Sequence, residues 1–199
     1  MRLFVALLPP AAAVEGLDAA VAPVRAGRPD LRWTGRDAWH ITLAFLGEAS
    51  ETAPARLAPR LQRAAARHGP LPLAFAGAGA FPSAGRARVL WCGLHGNHRG
   101  LAGLAASVAA AARRAGAPPA GAGRTLRAHL TLARSRTPAD VRGLVAALGG
   151  YEGPGWTADR IHLIHSCPGS QPPTPRYTTL GSWPLGASPP RPDGDRLDA

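Results

Sequence analysis

The sequence predicts an α+β fold made of two duplicated lobes that face each other, on three observations. Helical and strand-like segments are interspersed but joined by hairpin connections, which favours antiparallel-rich sheets over a parallel one. A four-residue pattern occurs once per half, as His40-Ile41-Thr42-Leu43 within WHITLAFLG and His129-Leu130-Thr131-Leu132 within AHLTLARS. Each copy lies in an apolar run and is followed by a helix-like segment, the signature of an internal repeat.

The chain opens with a short apolar run that Pro9-Pro10 ends, so residues 2–8 read as a buried strand rather than a membrane span. Val14, Leu17, Val21 and Val24 then form one apolar face of a helix over 11–26. The segment 31–46 carries the first HxT strand and ends at Gly47. A helix follows from Glu51 to His68, with Leu57 and Leu61 one turn apart. Strands at 71–76 and 87–94 are joined through GAGAFPSAGR, read as a hairpin or long loop, and complete the first lobe. The second half replays that order. An Ala/Leu-rich helix over 99–115 leads through the flexible APPAGAG to a strand at 125–133 that carries the second HxT. Thr137 as N-cap and Pro138 in the first turn predict a helix running to Leu148, stopped by Gly149-Gly150. Strands at 157–165 and 176–181 finish the second lobe. Residues 1–186 thus form one bilobal domain, and the Pro/Asp/Arg tail over 187–199 is expected to be disordered.

Composition bounds the chemistry loosely. A formal charge of +11 points toward a polyanionic partner. All 23 basic residues are Arg, however, and Ala, Gly and Pro abound, so part of that charge reflects a bias toward GC-rich codons. What remains is a lean toward an anionic substrate, which Arg can grip in bidentate fashion. Two cysteines, Cys92 and Cys167, and no leader-like segment fit a reduced, cytoplasmic, soluble protein.

In an extended strand each His and Thr of the repeated pattern share one face, while Ile41, Leu43, Leu130 and Leu132 point into the core. A single such His is more often structural than functional. Two in matching contexts offer a pair of opposed imidazoles, each beside a hydroxyl, and this suits acid–base chemistry on a phosphate. A metal site would be under-coordinated: a His-Thr pair supplies one good ligand per strand, and no Asp, Glu or Cys stands at ligand spacing beside either motif.

RLFVALLPP, WHITLAFLGE, GAFPSAGRARVLWCGL and HLTLAR together resemble the two-histidine phosphoesterase superfamily, and within it the RNA 2′,3′-cyclic phosphodiesterases, historically called 2′-5′ RNA ligases. The resemblance spans residues 1–185 in order and spacing. One departure is Ala128, where such proteins usually carry Pro before the second histidine. The resemblance implies a pseudo-two-fold fold with a cleft between two antiparallel sheets, helices outside and one HxTx motif on each wall. It further implies metal-independent, cofactor-free opening of a terminal 2′,3′-cyclic phosphate of RNA or a nucleotide to a 2′-phosphomonoester, with reversible 2′-5′ RNA ligation as a second activity. By the same resemblance His40 is the proton donor, His129 the acceptor and Arg134 a phosphate-binding residue. The residues alone leave the two histidine roles interchangeable.

Thr42 and Thr131 can donate hydroxyl hydrogen bonds to non-bridging phosphate oxygens. Arg134 lies five positions after His129, nominally on the opposite strand face, and reaches the cleft only if the strand ends or bulges there. Arg88, Ser166 and Tyr177 stand in family-like blocks as further cleft residues. His68, His95, His98, His162 and His165 have ordinary structural readings, and His162 and His165 fall on opposite strand faces. Phe4, Trp39, Phe45 and Trp91 could stack a base, although at their strand positions core packing is the more common role. Two rival readings stay open: a phosphodiesterase for another small cyclic phosphate or nucleotide, such as ADP-ribose cyclic phosphate, and a non-catalytic RNA-binding protein. The chain is expected to act as a monomer with no membrane partner.

Overall fold

The computed structural model describes residues 1–120, 127–167 and 176–186. Its strands are β1 (Arg2–Leu7), β2 (Arg32–Trp33), β3 (Ile41–Glu48), β4 (Leu71–Phe81), β5 (Ala87–Gly96), β6 (Leu130–Ala139), β7 (Trp156–Ala158), β8 (Arg160–Cys167) and β9 (Arg176–Pro184). Its helices are α1 (Ala11–Ala26), α2 (Ala53–Ala65), α3 (His98–Arg114) and α4 (Arg142–Leu148). The α+β class, the antiparallel pairing and the outer helices match the sequence expectation. The disordered tail expected over 187–199 lies outside the described residues, as does the start of the strand expected from 125.

The strands run in the order β7-β4-β5-β6-β3-β1-β8-β9, with β2 on β6, and every pairing is antiparallel. Two half-sheets meet at a single register pair, Ile41 with Leu130. The division does not follow the halves of the chain. The hairpin β4–β5, expected beside the first motif, pairs with β6 and the second, whereas β8–β9 pairs through β1 with β3 and the first. The helices cross over too: α1 and α4 pack on β4, while α2 lies on β8 and β9 and against α3, which packs on β3. Reading lobes by sequence order fails here because strand partners are chosen by which apolar faces can be covered. Sequential proximity is only a tendency.

β1 is buried on both faces, which explains its unbroken apolar run. Leu3, Val5 and Leu7 join the main core with Leu57, Leu61, Leu104, Leu130 and Leu132, while Phe4 and Ala6 form a small second cluster with Ile164 on the cleft side. No helix among the described residues is long and apolar enough to cross a membrane.

Two local expectations need correction. GAGAFPSAGR does not open as a loop after 76; β4 continues to Phe81, opposite β5. Its glycines serve the strand. Gly77, at φ 61°, makes a bulge that lets Ala78 rather than Gly77 pair with Cys92. At Gly79 a Cβ would stand 2.2 Å from the Trp91 ring, so the bare backbone is what lets that indole lie across the strand. Likewise Thr137 and Pro138 do not start a helix. They are the last residues but one of β6, and α4 begins at Arg142, whose N–H donates to the Asp140 side chain (3.0 Å). The N-cap residue is Val141, with the Asp140 carboxylate before it accepting from the first helical N–H, so neither Thr137 nor Pro138 takes part in the helix entry.

Gly79→Ala should therefore displace the Trp91 indole and destabilise the protein by about 1–3 kcal/mol, the usual cost of overpacking. Thermal unfolding with tryptophan fluorescence checks this. A variant as stable as the parent, with unchanged emission, would show that the ring has room to move.

Candidate active site

Each motif histidine is the last residue before its strand, and each is held in the same way. His40 Nδ1 lies 2.8 Å from the Ala38 carbonyl oxygen, and His129 Nδ1 lies 2.6 Å from that of Arg127. A carbonyl can only accept, so both Nδ1 atoms carry the proton and both Nε2 atoms are left to exchange one. The register pair Ile41–Leu130 puts the two motifs on neighbouring strands running in opposite directions. Continued one residue either way, it sets Thr131 beside His40 and Thr42 beside His129. All four half-buried side chains share the face opposite the buried Ile41 and Leu130.

A bulge follows each motif at the same place. β1 pairs Ala6 with Thr42 and Val5 with Ala44, skipping Leu43; β5 pairs Trp91 with Thr131 and Leu90 with Ala133, skipping Leu132. Leu43 and Ala44 are therefore both buried, as are Leu132 and Ala133. The extra residue reverses the alternation, and the fifth position after each histidine returns to the cleft side. In the second motif that position is Arg134, the bulge-dependent placement the sequence required. In the first it is Phe45, and the Arg2 guanidinium lies over its ring, 5.1 Å from the centroid.

The electrostatics agree with this placement. His40 is held below its ordinary 6.5, first by burial and then by the positive charge of Arg134 and the neighbouring His129, against the opposing pull of the Ala38 carbonyl. His129 is lowered by burial, then by Arg134 and Arg127, against the Arg127 carbonyl. Burial raises the Tyr177 hydroxyl, while Arg134 and Arg2 pull it the other way. Arg134 thus acts on both imidazoles and on Tyr177.

Two aromatic rings enclose each imidazole. Phe4 and Tyr177 stand 4.7 and 5.3 Å from His40, centroid to centroid, and Phe81 and Trp91 stand 5.1 and 6.3 Å from His129. Phe4 and Trp91 are therefore neither base platforms alone nor plain core, whereas Trp39 is a core residue. Phe81 was not foreseen, because the Gly77 bulge breaks the alternation that would have placed it. The usable signal was Gly79 facing Trp91, a glycine that admits a ring. Of the other candidates, Tyr177 joins the site and Ser166 pairs with it in the ladder, while the exposed Arg88 donates to the Arg136 carbonyl. His162 shares the face of Phe4, and His165 the other. Among the described residues no group of three His, Cys, Asp or Glu gathers as a metal-ligand set. Beside His129 opens a pocket of about 380 Å³ lined by Phe81, Trp91, His98, Leu101, Ala102, Arg127 and Ala128.

Both imidazoles should titrate below 6.5 in the free protein, and Arg134→Gln should move both upward by removing a nearby positive charge. Because the unfolded chain keeps ordinary histidines, it binds more protons than the folded state just below pH 6.5, and stability should fall as pH drops through that window. NMR titration of the ring protons tests the first point and thermal unfolding against pH the second. Imidazoles titrating at or above 6.5 would refute the electrostatic account.

The family described as LigT-like phosphoesterases matches residues 7–91, which include the first motif. An RNA 2′,3′-cyclic phosphodiesterase of Archaeoglobus fulgidus is 46% identical over 55 residues, 28% of this chain and 30% of that protein. One from Aquifex aeolicus is 33% identical over 78 residues, 39% of this chain and 42% of that protein. This chain thus aligns with less than half the length of either relative. Solved structures match nearly end to end: Escherichia coli LigT complexed with 3′-AMP has a TM-score of 0.72 at 28% identity, covering 94% of this chain and 98% of that one. A Thermus thermophilus protein has a TM-score of 0.73 at 26% identity with the same coverage. Both motifs thus lie on neighbouring strands of a fold this chain shares with those solved structures, and its residues 7–91 are similar to the LigT-like phosphoesterases.

Proposed function

We propose that the protein is a metal-independent RNA 2′,3′-cyclic phosphodiesterase that opens a terminal 2′,3′-cyclic phosphate to a 2′-phosphomonoester, with reversible 2′-5′ ligation as a second activity. The observation that carries this reading is the pair of Nδ1-anchored imidazoles, each with no Nε2 partner among the described residues and a threonine hydroxyl beside it, meeting across Ile41–Leu130. The phosphodiesterases of Archaeoglobus and Aquifex carry this activity in their names, and the Escherichia coli protein was solved with 3′-AMP and with phosphate.

In-line opening of the ring needs a base and an acid on opposite sides of phosphorus. In this reading neutral His129 takes a proton from water through Nε2, water oxygen bonds to phosphorus, the P–O3′ bond breaks, and His40 gives its Nε2 proton to O3′. Thr42, Thr131 and Arg134 hold the non-bridging oxygens, where charge builds in the transition state. In the free protein burial and Arg134 leave His40 short of its proton at neutral pH. The bound phosphate anion counters Arg134 and restores it, so the substrate completes its own acid. With one histidine neutral and its partner protonated, the rate against pH is bell-shaped, and its limbs belong to the coupled pair.

The deciding experiment is product analysis of an oligonucleotide ending in 2′,3′-cyclic phosphate, incubated with the protein in EDTA. A 2′-phosphate end is expected; activity that disappears in EDTA and returns with added metal overturns the metal-independent mechanism. His40→Ala and His129→Ala should each cost at least ~10²-fold in turnover, and the double variant little more, since the pair acts as a unit. Arg134→Ala should lose ~10²-fold in kcat while Arg134→Lys keeps part of it. A salt-dependent rise in KM alone would make Arg134 a general RNA-attracting charge. The alkaline limb should lie higher in kcat than in kcat/KM, because the first reports the phosphate-bound enzyme.

A further inference from the structure

β2 is only two residues long, yet the chain secures it from both sides. The Thr34 N–H donates to the Leu132 carbonyl (2.8 Å), the Trp33 indole N–H donates to the Arg28 carbonyl (2.9 Å), and the Arg25 guanidinium lies 5.9 Å over the Trp33 ring. These ties hold β2 against β6, where Trp33 pairs with Ala133 and Arg32 with Arg134. Residues directly opposite in an antiparallel pair send their side chains to one face, with Cβ atoms about 4.5–5.5 Å apart. Trp33 and Ala133 pack on the core side, so Arg32 and Arg134 both stand on the cleft side.

Two guanidiniums in that register repel each other. Both are exposed, and among the described residues neither has a carboxylate within ion-pair distance, whereas Arg25, Arg28, Arg142 and Arg160 each have one. Phosphate oxygens bound between them would relieve that repulsion.

The two are not equivalent. The charge of Arg134 acts on His40, His129 and Tyr177, while that of Arg32 acts on none of the three. Arg32 therefore stands a step further from the reacting phosphorus. It lies on the edge of β6 that faces β3, away from β5, and so on the flank of His40. In the mechanism above the ribose that carries the cyclic phosphate leaves toward His40, and the RNA strand attached to that ribose continues along the same flank.

We propose that Arg32 forms a second phosphate subsite, which holds the phosphodiester on the 5′ side of the terminal nucleotide and so selects the ends of RNA chains over mononucleotides. The inference rests on the phosphodiesterase reading and on Arg134 holding the reacting phosphate. Arg32 makes and breaks no bond. It binds a charge that is the same in the ground state and the transition state, so its contribution belongs in KM rather than in kcat.

The test compares adenosine 2′,3′-cyclic phosphate with the dinucleotide ApA ending in the same cyclic phosphate, at one salt concentration. Arg32→Gln should raise KM for the dinucleotide about tenfold, the scale of one charge-assisted hydrogen bond, and leave its kcat and both constants of the mononucleotide unchanged. Arg32→Lys should recover part of the loss. A dinucleotide with an uncharged methylphosphonate link should serve the wild type and Arg32→Gln equally well. Arg63→Gln, which removes the same charge from an exposed position on α2, should alter neither substrate. Equal loss on both substrates would make Arg32 a support for Arg134, and no loss on either would make it a solvated rim charge; each result overturns the proposal. Calorimetric titration with adenosine 2′-phosphate and with ApA ending in 2′-phosphate keeps binding separate from turnover: the wild type should bind the dinucleotide more tightly, and Arg32→Gln should lose that preference. Absence of wild-type hydrolysis of both substrates sinks the phosphodiesterase reading, whereas hydrolysis with the same KM for both sinks the subsite alone.

Discussion

One extra residue in each motif strand sets the geometry of the whole cleft. Leu43 and Leu132 stand unpaired against β1 and β5, and each lets two successive side chains enter the core where a regular strand would allow one. The chain then resumes its alternation in reverse. Histidine and threonine before the bulge and the fifth residue after it therefore face the same space, which a flat strand forbids. The bulge at Gly77 does the same for β4 and brings Phe81 against His129. The cost of an unpaired ladder position is offset by burying an additional leucine, so the bulges are held by the core they help to fill.

That arrangement also separates what was legible in the sequence from what was not. The motifs, the α+β class and α1 follow from period and composition, because a strand of Ile-Thr-Leu and a helix of Val14, Leu17 and Val21 have few other ways to bury their apolar atoms. Arg134 could be placed only conditionally, since five residues of regular strand point it away, and the condition is met by Leu132. Phe81 and the length of β4 were illegible for a related reason. Glycines usually mark loops, whereas Gly79 is a strand residue made bare by a ring on the neighbouring strand. The strand partners were the other loss. Nothing local in 71–81 or 160–167 says which motif strand each will join.

The imidazoles are tuned by opposing effects of unlike reach. Burial and the guanidinium of Arg134 withdraw the proton, while a carbonyl two residues upstream fixes the tautomer and draws it back. Aromatic rings supply the burial without supplying a charge. Phe4 and Tyr177 on one side and Phe81 and Trp91 on the other pack against the rings, and among the described residues Nε2 is the unengaged nitrogen of each. An anion between the two walls would reverse the sign of the local field, so the free site is poised to be completed by what it binds.

The exchange of hairpins between the halves has a consequence for synthesis. β1 needs β8 along one edge and β3 along the other, so the half-sheet that holds His40 stays open until residues near 160 have left the ribosome. The other half-sheet closes earlier, since β4, β5 and β6 lie within residues 71–139. Closing β1 onto β8 joins Ala6 to His162, a widely separated contact of the kind that slows folding because a large loop must be ordered first. The nascent chain therefore holds a strand buried on both faces in the finished protein, Leu3 to Leu7, uncovered through most of its translation. For this fold the vulnerable interval is the time spent waiting for β8.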